Sequence, residues 1–243
     1  MPGRGASRPS IAGMAYVLIL QHVPVEGPGL IAAALDASGV EYRIRNLLTE
    51  SASQLPPAAD LCGLVLMGGP MDAGDVEAHP ALALEQQLVR DAIAAQVPVL
   101  GVCLGHQIIA LALGAAVDYG ATREIGVGPV QAAGELAGLT GIDVLHWHTD
   151  NAGLPEGAEL LAHTAGCPNQ AFRFGSALGV QFHLELDEAL LAAWLDSGMS
   201  AELAPRTAGS LLLDFARQNS LRQRVAGQIF GQFSDQAQAL RDN

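Results

Sequence analysis

Apolar and polar positions along this 243-residue chain fall into two alternating kinds of run. Short apolar runs rich in leucine and β-branched residues read as buried strands, and longer runs with apolar positions three and four apart read as helices. Tyr16-Val-Leu-Ile-Leu20 reads as a central strand, Gly29 to Ser38 as a helix ended by Gly39, and Glu41-Tyr-Arg-Ile-Arg45 as a second strand. Leu61 to Met67 reads as a third strand, running into Gly68-Gly-Pro70. Pro80 to Gln96 carries an amphipathic helical pattern and delivers the chain to a buried strand over Val97 to Val102. Gln107 to Leu113 reads as a helix. From Ala116 to Gln181 the runs shorten and become glycine-rich, as in the antiparallel extension of a mixed sheet. Leu178 to Phe182 is the last central strand, and after Asp187 the pattern is helical, interrupted near Gly198 and Pro205. Strands alternating with helices predict an α/β fold with a mainly parallel sheet.

Composition narrows this picture. Half the residues are hydrophobic and only 5% aromatic, so the core is expected to be built from Ala, Leu, Val and Ile. The length fits one domain over 14–243, with Met1 to Gly13 as a disordered tail and a helical extension over about 205–243. Met14 is a second candidate start. Ala15 to Leu20 is too short for a membrane span and leads into folded-domain sequence, not a cleavage site. The net charge of −13 argues against nucleic-acid and anionic-membrane partners. All 12 fixed cations are arginine, which removes a Walker lysine, a lysine Schiff base and a lysine general base, and no cofactor is expected. Cys62, Cys103 and Cys167 form neither a disulfide framework nor a zinc pattern, and this fits a reducing, cytoplasmic compartment.

The chemistry concentrates at two places. Gly101-Val-Cys-Leu-Gly105 puts Cys103 between a strand and a helix with glycines two residues to either side, the spacing of a nucleophile elbow. A cysteine there sits at a helix N-terminus, whose dipole favours the thiolate. At the end of the last central strand stands His183-Leu-Glu185. Residues two apart on a strand share a face, so the carboxylate can accept the imidazole's second N–H and favour the imidazolium. The order Cys…His-x-Glu argues against an α/β-hydrolase, in which the acid precedes the histidine.

Val102-Cys-Leu-Gly-His-Gln107 together with Gln181-Phe-His-Leu-Glu185 resembles the class I (triad) glutamine amidotransferases, over about Tyr16 to Asp187. The resemblance is nearest to the stand-alone members related to the glutaminase part of GMP synthase. It implies a flavodoxin-like, three-layer α/β sandwich and hydrolysis of the glutamine side-chain amide through a cysteinyl thioester. By position it makes Cys103 the nucleophile, His183 the base and acid, and Glu185 its orienting partner. It also makes the backbone N–H groups of Gly69 and Leu104 the oxyanion donors, each worth about 3 kcal/mol in such a role. Gln107, Met71, Trp147 and Thr149 are the implied substrate contacts. Leu184 stands where many members have proline, and Met71 where many have glycine.

Other features bear on partners. His146, His148 and Asp150 share a face on a strand, but no further cluster completes a metal site, and none is expected. His163 and Cys167 are expected to be structural. Without a lysine-bearing phosphate loop or a Ser-Gly-Gly-x-Asp-Ser signature, the ammonia acceptor is expected on a separate synthetase chain. The apolar stripe Leu211, Leu212, Phe215, Leu221, Val225, Ile229 and Phe233 is either a docking or homodimerisation element or, more commonly, packs on its own domain. Two other functions compete: an amide hydrolase acting on another γ-glutamyl compound, such as a γ-glutamyl peptidase, and a non-catalytic binding module that kept the fold.

Overall fold

The computed structural model describes residues 15–47, 55–203 and 207–242. The tail Met1 to Gly13, Met14 and the interruption at Pro205 lie outside the described residues. Five strands form the parallel half of the main sheet: β1 (Tyr16–Gln21), β2 (Tyr42–Asn46), β3 (Leu61–Leu66), β4 (Val99–Val102) and, later in the chain, β12 (Ala177–Val180), in the order β2-β1-β3-β4-β12. The helices α1 (Gly29–Ser38), α2 (Ala81–Ala94) and α3 (Leu104–Ala112) make the crossovers between parallel neighbours. The antiparallel half adds β11 (Ala171–Phe174), β10 (Glu159–His163) and β7 (Gln131–Ala132) beside β12. Two smaller ribbons pair β5 (Val117–Asp118) with β9 (Asn151–Ala152) and β6 (Glu124–Pro129) with β8 (Asp143–His148). The mainly parallel α/β sheet expected from the alternating pattern is present.

Buried side chains cover both faces of this sheet. Val17, Ile19 and Val65 pack toward α1 and the long α6 (Asn219–Arg241), and Leu18, Leu20 and Leu64 toward α2 and α3. This two-sided burial explains why β1 and β3 are continuous apolar runs rather than alternating ones. Gly39 ends α1 at φ 68°, a left-handed conformation that glycine adopts without steric cost. The helix placed at Gln107 begins earlier, at Leu104, directly after the cysteine.

The C-terminal helices are α4 (Glu188–Asp196), α5 (Ala208–Arg217) and α6, with a 3-10 turn at Met199–Leu203. Asp187 caps α4, its carboxylate accepting from the Leu190 N–H at 2.8 Å. Leu211 and Phe215 of α5 are buried with Trp147 and Trp194, and Val225, Ile229 and Phe233 of α6 are buried in the core behind β1 and β3. Most of the C-terminal apolar stripe therefore packs inward, and Leu221 is its exposed member.

Candidate active site

Cys103 occupies a strained turn between β4 and α3. Its φ of 52° and ψ of −103° lie where L-residues rarely sit, and that strain is held by close packing on both sides. A Cβ on Gly101 would stand 2.5 Å from the Gly105 carbonyl oxygen, and one on Gly105 would stand 2.2 Å from that of Leu66. Both elbow glycines are thus dictated by the approach of α3 to β4 and β3. The Cys103 N–H donates to Val180 O at 2.8 Å, tying the turn to β12. The thiol points toward the Trp147 carbonyl, 3.8 Å away.

His183 follows β12 and faces this turn. Its Nδ1 lies 2.7 Å from Glu185 Oε1, and both residues are 1% exposed. Burial opposes the charged imidazole, but Glu185 and the neighbouring Cys103 sulfur outweigh it and hold the His183 pKa well above the ordinary histidine value. Its Nε2 is buried and makes no hydrogen bond of regular geometry among the described residues. Two neighbours that the pattern along the chain did not single out hold this histidine. Trp194 of α4 meets the ring edge-on at a centroid distance of 4.9 Å and anchors its own indole N–H on Val25 O at 2.9 Å. Gly29, at φ 42°, leaves space for the Glu185 carbonyl, which accepts from the Leu30 N–H at 2.8 Å.

A cleft of about 280 Å³ opens over the thiol. Its lining includes Gly69, Met71, Gln107, Trp147 and Thr149, so those sequence-predicted residues converge on one site. Gly69 lies against Leu104: a Cβ on it would stand 2.8 Å from Leu104 Cδ2. The Gln107 amide donates to Gln181 Oε1 at 3.2 Å, and the Trp147 indole donates to Glu202 Oε2 at 3.0 Å. Glu202 and Met199, from the 3-10 turn after α4, close one side of the cleft; a short polar turn between helices had carried no signal for this. Behind Gly68, His22 bridges the Gly68 carbonyl and Glu85 Oε2 at 3.0 Å each. Burial lowers the pKa of His22, but Glu85, the Gly68 carbonyl and Glu26 together raise it more, so the net shift is upward.

Asp150 does not join His146 and His148. Beyond β8 the chain turns, and the Asp150 carboxylate accepts from the Gly120 N–H at 2.9 Å. Glu124 of the paired strand β6 takes that place, so Glu124, His146 and His148 bring their ligand atoms within 4.8 Å of one another. The cross-strand register that supplies the third residue cannot be read from spacing along one strand. The Gln170 amide closes this group, its Nε2 2.6 Å from Glu124 Oε2 and 3.2 Å from His148 Nε2. The Cys167-Pro-Asn-Gln170 loop thus buttresses the back of β8, with the Cys167 thiol buried and donating to Asn169 O at 3.4 Å.

The parallel sheet, the elbow and the histidine–carboxylate pair define a class I glutamine amidotransferase fold, and the family model for glutamine amidotransferase class-I matches residues 29–191. The chain belongs to this family. It is 39% identical over 145 residues to the glutamine amidotransferase-like protein YfeJ of Salmonella typhimurium, a stretch covering 54% of this chain and 60% of that protein. It is 31% identical over 145 residues to a glutamine-hydrolyzing GMP synthase subunit of Methanocaldococcus jannaschii, covering 57% of this chain and 72% of the relative. It spans about a quarter of the length of the undivided GMP synthases that it matches. The solved structure of a glutamine amidotransferase from Thermotoga maritima superposes with a TM-score of 0.82 at 26% identity, covering 91% of this chain and 99% of that one. Among the described residues no helix is long and apolar enough to cross a membrane.

Proposed function

We propose that this protein hydrolyses the side-chain amide of glutamine through a thioester on Cys103 and releases ammonia to an acceptor bound by another chain. The observation that carries this is the strained Cys103 elbow facing a buried His183 that Glu185 holds at 2.7 Å. His183 holds the proton drawn from the thiol, the thiolate attacks the amide carbon, and the imidazolium gives that proton to the nitrogen as the C–N bond breaks. Water then attacks the thioester with His183 again as base, and the proton passes back to the departing thiolate, leaving glutamate. The N–H groups of Gly69 and Leu104 receive the oxyanion, the second of them at the start of α3 where the helix dipole adds to it. Gln107, Met71, Trp147 and Thr149 are read as substrate contacts because all four line the cleft. A separate acceptor fits the naming of the Methanocaldococcus relative as one subunit of its synthase.

Thiol labelling tests the site without assuming a substrate. Burial pushes the Cys62 thiol up to about 11 and the Cys167 thiol up to about 12, and both are fully hidden. A small alkylating reagent at a pH of about 6.5 should modify Cys103 first, and prior incubation with a glutamine-like electrophile should block it. Labelling of Cys167 in its place would refute the assignment. An ammonia- and amine-release assay comparing glutamine with γ-glutamyl peptides then identifies the substrate, and faster release from the peptides would replace glutamine as the answer.

A further inference from the structure

Glu26 has no part in the reaction just described, yet its carboxyl belongs to the same cleft. It lies in the segment between β1 and α1, is 7% exposed, and lines the wall beside His183. Among the described residues no side-chain hydrogen bond reaches it. A carboxyl largely withdrawn from water is costly to ionise unless a positive charge lies nearby.

Its carboxyl reaches over Gly68: Glu26 Oε2 lies 2.1 Å from the point where a Cβ on Gly68 would stand, and the glycine leaves that space to it. The same point is 3.6 Å from His183 Cε1, the ring carbon between the two nitrogens. The carboxyl and the Cε1 edge of the imidazole therefore both lie over the α-carbon of Gly68. His22 fixes that residue from behind through the Gly68 carbonyl at 3.0 Å, and the peptide that follows leads to the Gly69 N–H.

We infer that Glu26 is a positioning residue for proton transfer: its carboxylate, when ionised, holds the proton on His183 from across Gly68. Glu185 and Glu26 then divide the work. Glu185 accepts from Nδ1 and fixes the ring's orientation and tautomer, and Glu26 adds or withdraws a negative charge beside the Cε1 edge. Burial raises the Glu26 pKa to about 7, opposed by His183 and His22 and reinforced by Glu185 and Glu202. Among the described residues those four are the charged groups that act on it, from its own segment, the strand end after β12 and the 3-10 turn. The coupling is reciprocal: the imidazolium favours the carboxylate as much as the carboxylate favours the imidazolium.

The direction with pH follows. Below pH 7 Glu26 is neutral and Glu185 alone holds the imidazolium. Above pH 7 Glu26 ionises and the imidazolium persists to higher pH, so its use as the acid that protonates the departing nitrogen extends further into the alkaline range.

The inference rests on the assignment of Cys103 and His183 above, and the test separates the two. Turnover of glutamine is measured from pH 6 to 9 for the wild type, Glu26→Gln and Glu26→Asp, with each profile scaled to its own value at pH 6. In Glu26→Gln the alkaline limb should move down by up to about one pH unit, cutting the ratio of rates at pH 8.5 and pH 6 by up to about tenfold. Glu26→Asp, which keeps the charge but draws it back, should fall between the two. In the wild type the Cε1 proton of His183 followed by NMR should show a step near pH 7, ahead of the ring's own titration, and this readout needs no variant to fold. Parallel profiles for all three proteins, or a His183 signal without that step, would overturn the role of Glu26. If Cys103 labelling at a pH of about 6.5 also failed in the wild type, the assignment of the nucleophile would fall as well; if labelling held, only the inference would.

Discussion

His183 and His106 flank the same elbow and are equally hidden, 1% and 0% exposed, yet the surroundings drive their pKa values in opposite directions. His106, on the first turn of α3, meets Phe172 at a centroid distance of 5.0 Å with the rings tilted by 56°, and neither ring nitrogen has a partner of regular geometry. Burial lowers its pKa to about 3, so it is a neutral, apolar wedge between α3 and β12. His183 suffers the same burial but has Glu185 at 2.7 Å, and its pKa rises. Depth therefore says nothing by itself about acid–base competence. The counter-charge decides which buried histidine can carry a proton at neutral pH.

Removing the charged side of this comparison should give the largest effect. Cys103→Ser and His183→Asn should each lower glutamine turnover by at least ~10³-fold, and the double variant should be no worse, because the groups act as a unit. Glu185→Gln should push His183 toward the condition of His106, lowering its pKa and turnover by on the order of 10²-fold. In contrast, His106→Leu should hold turnover within about tenfold. A loss from His106→Leu equal to that from His183→Asn, in steady-state ammonia release, would erase the distinction.

The pH dependence of stability sharpens it. The Glu26 pKa is raised in the folded protein, so its contribution is fully present below pH 4.5 and lost as pH rises through about 7. Glu26→Gln should lack that loss and gain about 3 kcal/mol over the wild type between pH 4.5 and pH 8 in urea unfolding. His106 has the opposite sign. Its folded pKa of about 3 lies below the ordinary 6.5, so its contribution is present above pH 6.5 and lost as pH falls. From pH 6.5 to pH 5 the wild type should lose about 2 kcal/mol that His106→Leu keeps. Equal slopes in the two proteins would mean that His106 titrates normally.

The smallest effect is expected from the aromatic brace. Trp194→Phe removes the indole donation to Val25 O but keeps a ring against His183. Stability should fall by about 1 kcal/mol, read from the urea midpoint at unchanged slope, and turnover by less than tenfold.

Much of this was legible along the chain because it is local. The apolar runs of β1 and β3, the stop at Gly39 and the glycines around Cys103 each reflect a constraint within a few residues: burial on both faces, a left-handed turn, and the contact of α3 with the strand before it. His183 and Glu185 were legible as a pair for the same reason, since a separation of two residues in an extended chain fixes their common face. Tertiary structure alone decided the rest. Glu26 is a loop carboxyl in sequence and becomes a neighbour of His183 only when β12 comes to lie beside β4 and brings the histidine over Gly68. Glu124 replaces Asp150 beside the two β8 histidines because antiparallel register, not spacing along one strand, sets which side chains meet. The raised pKa of His183 and the lowered pKa of His106 follow from the same rule: both are buried histidines near one cysteine, and only the chain's return brings a carboxylate to one of them.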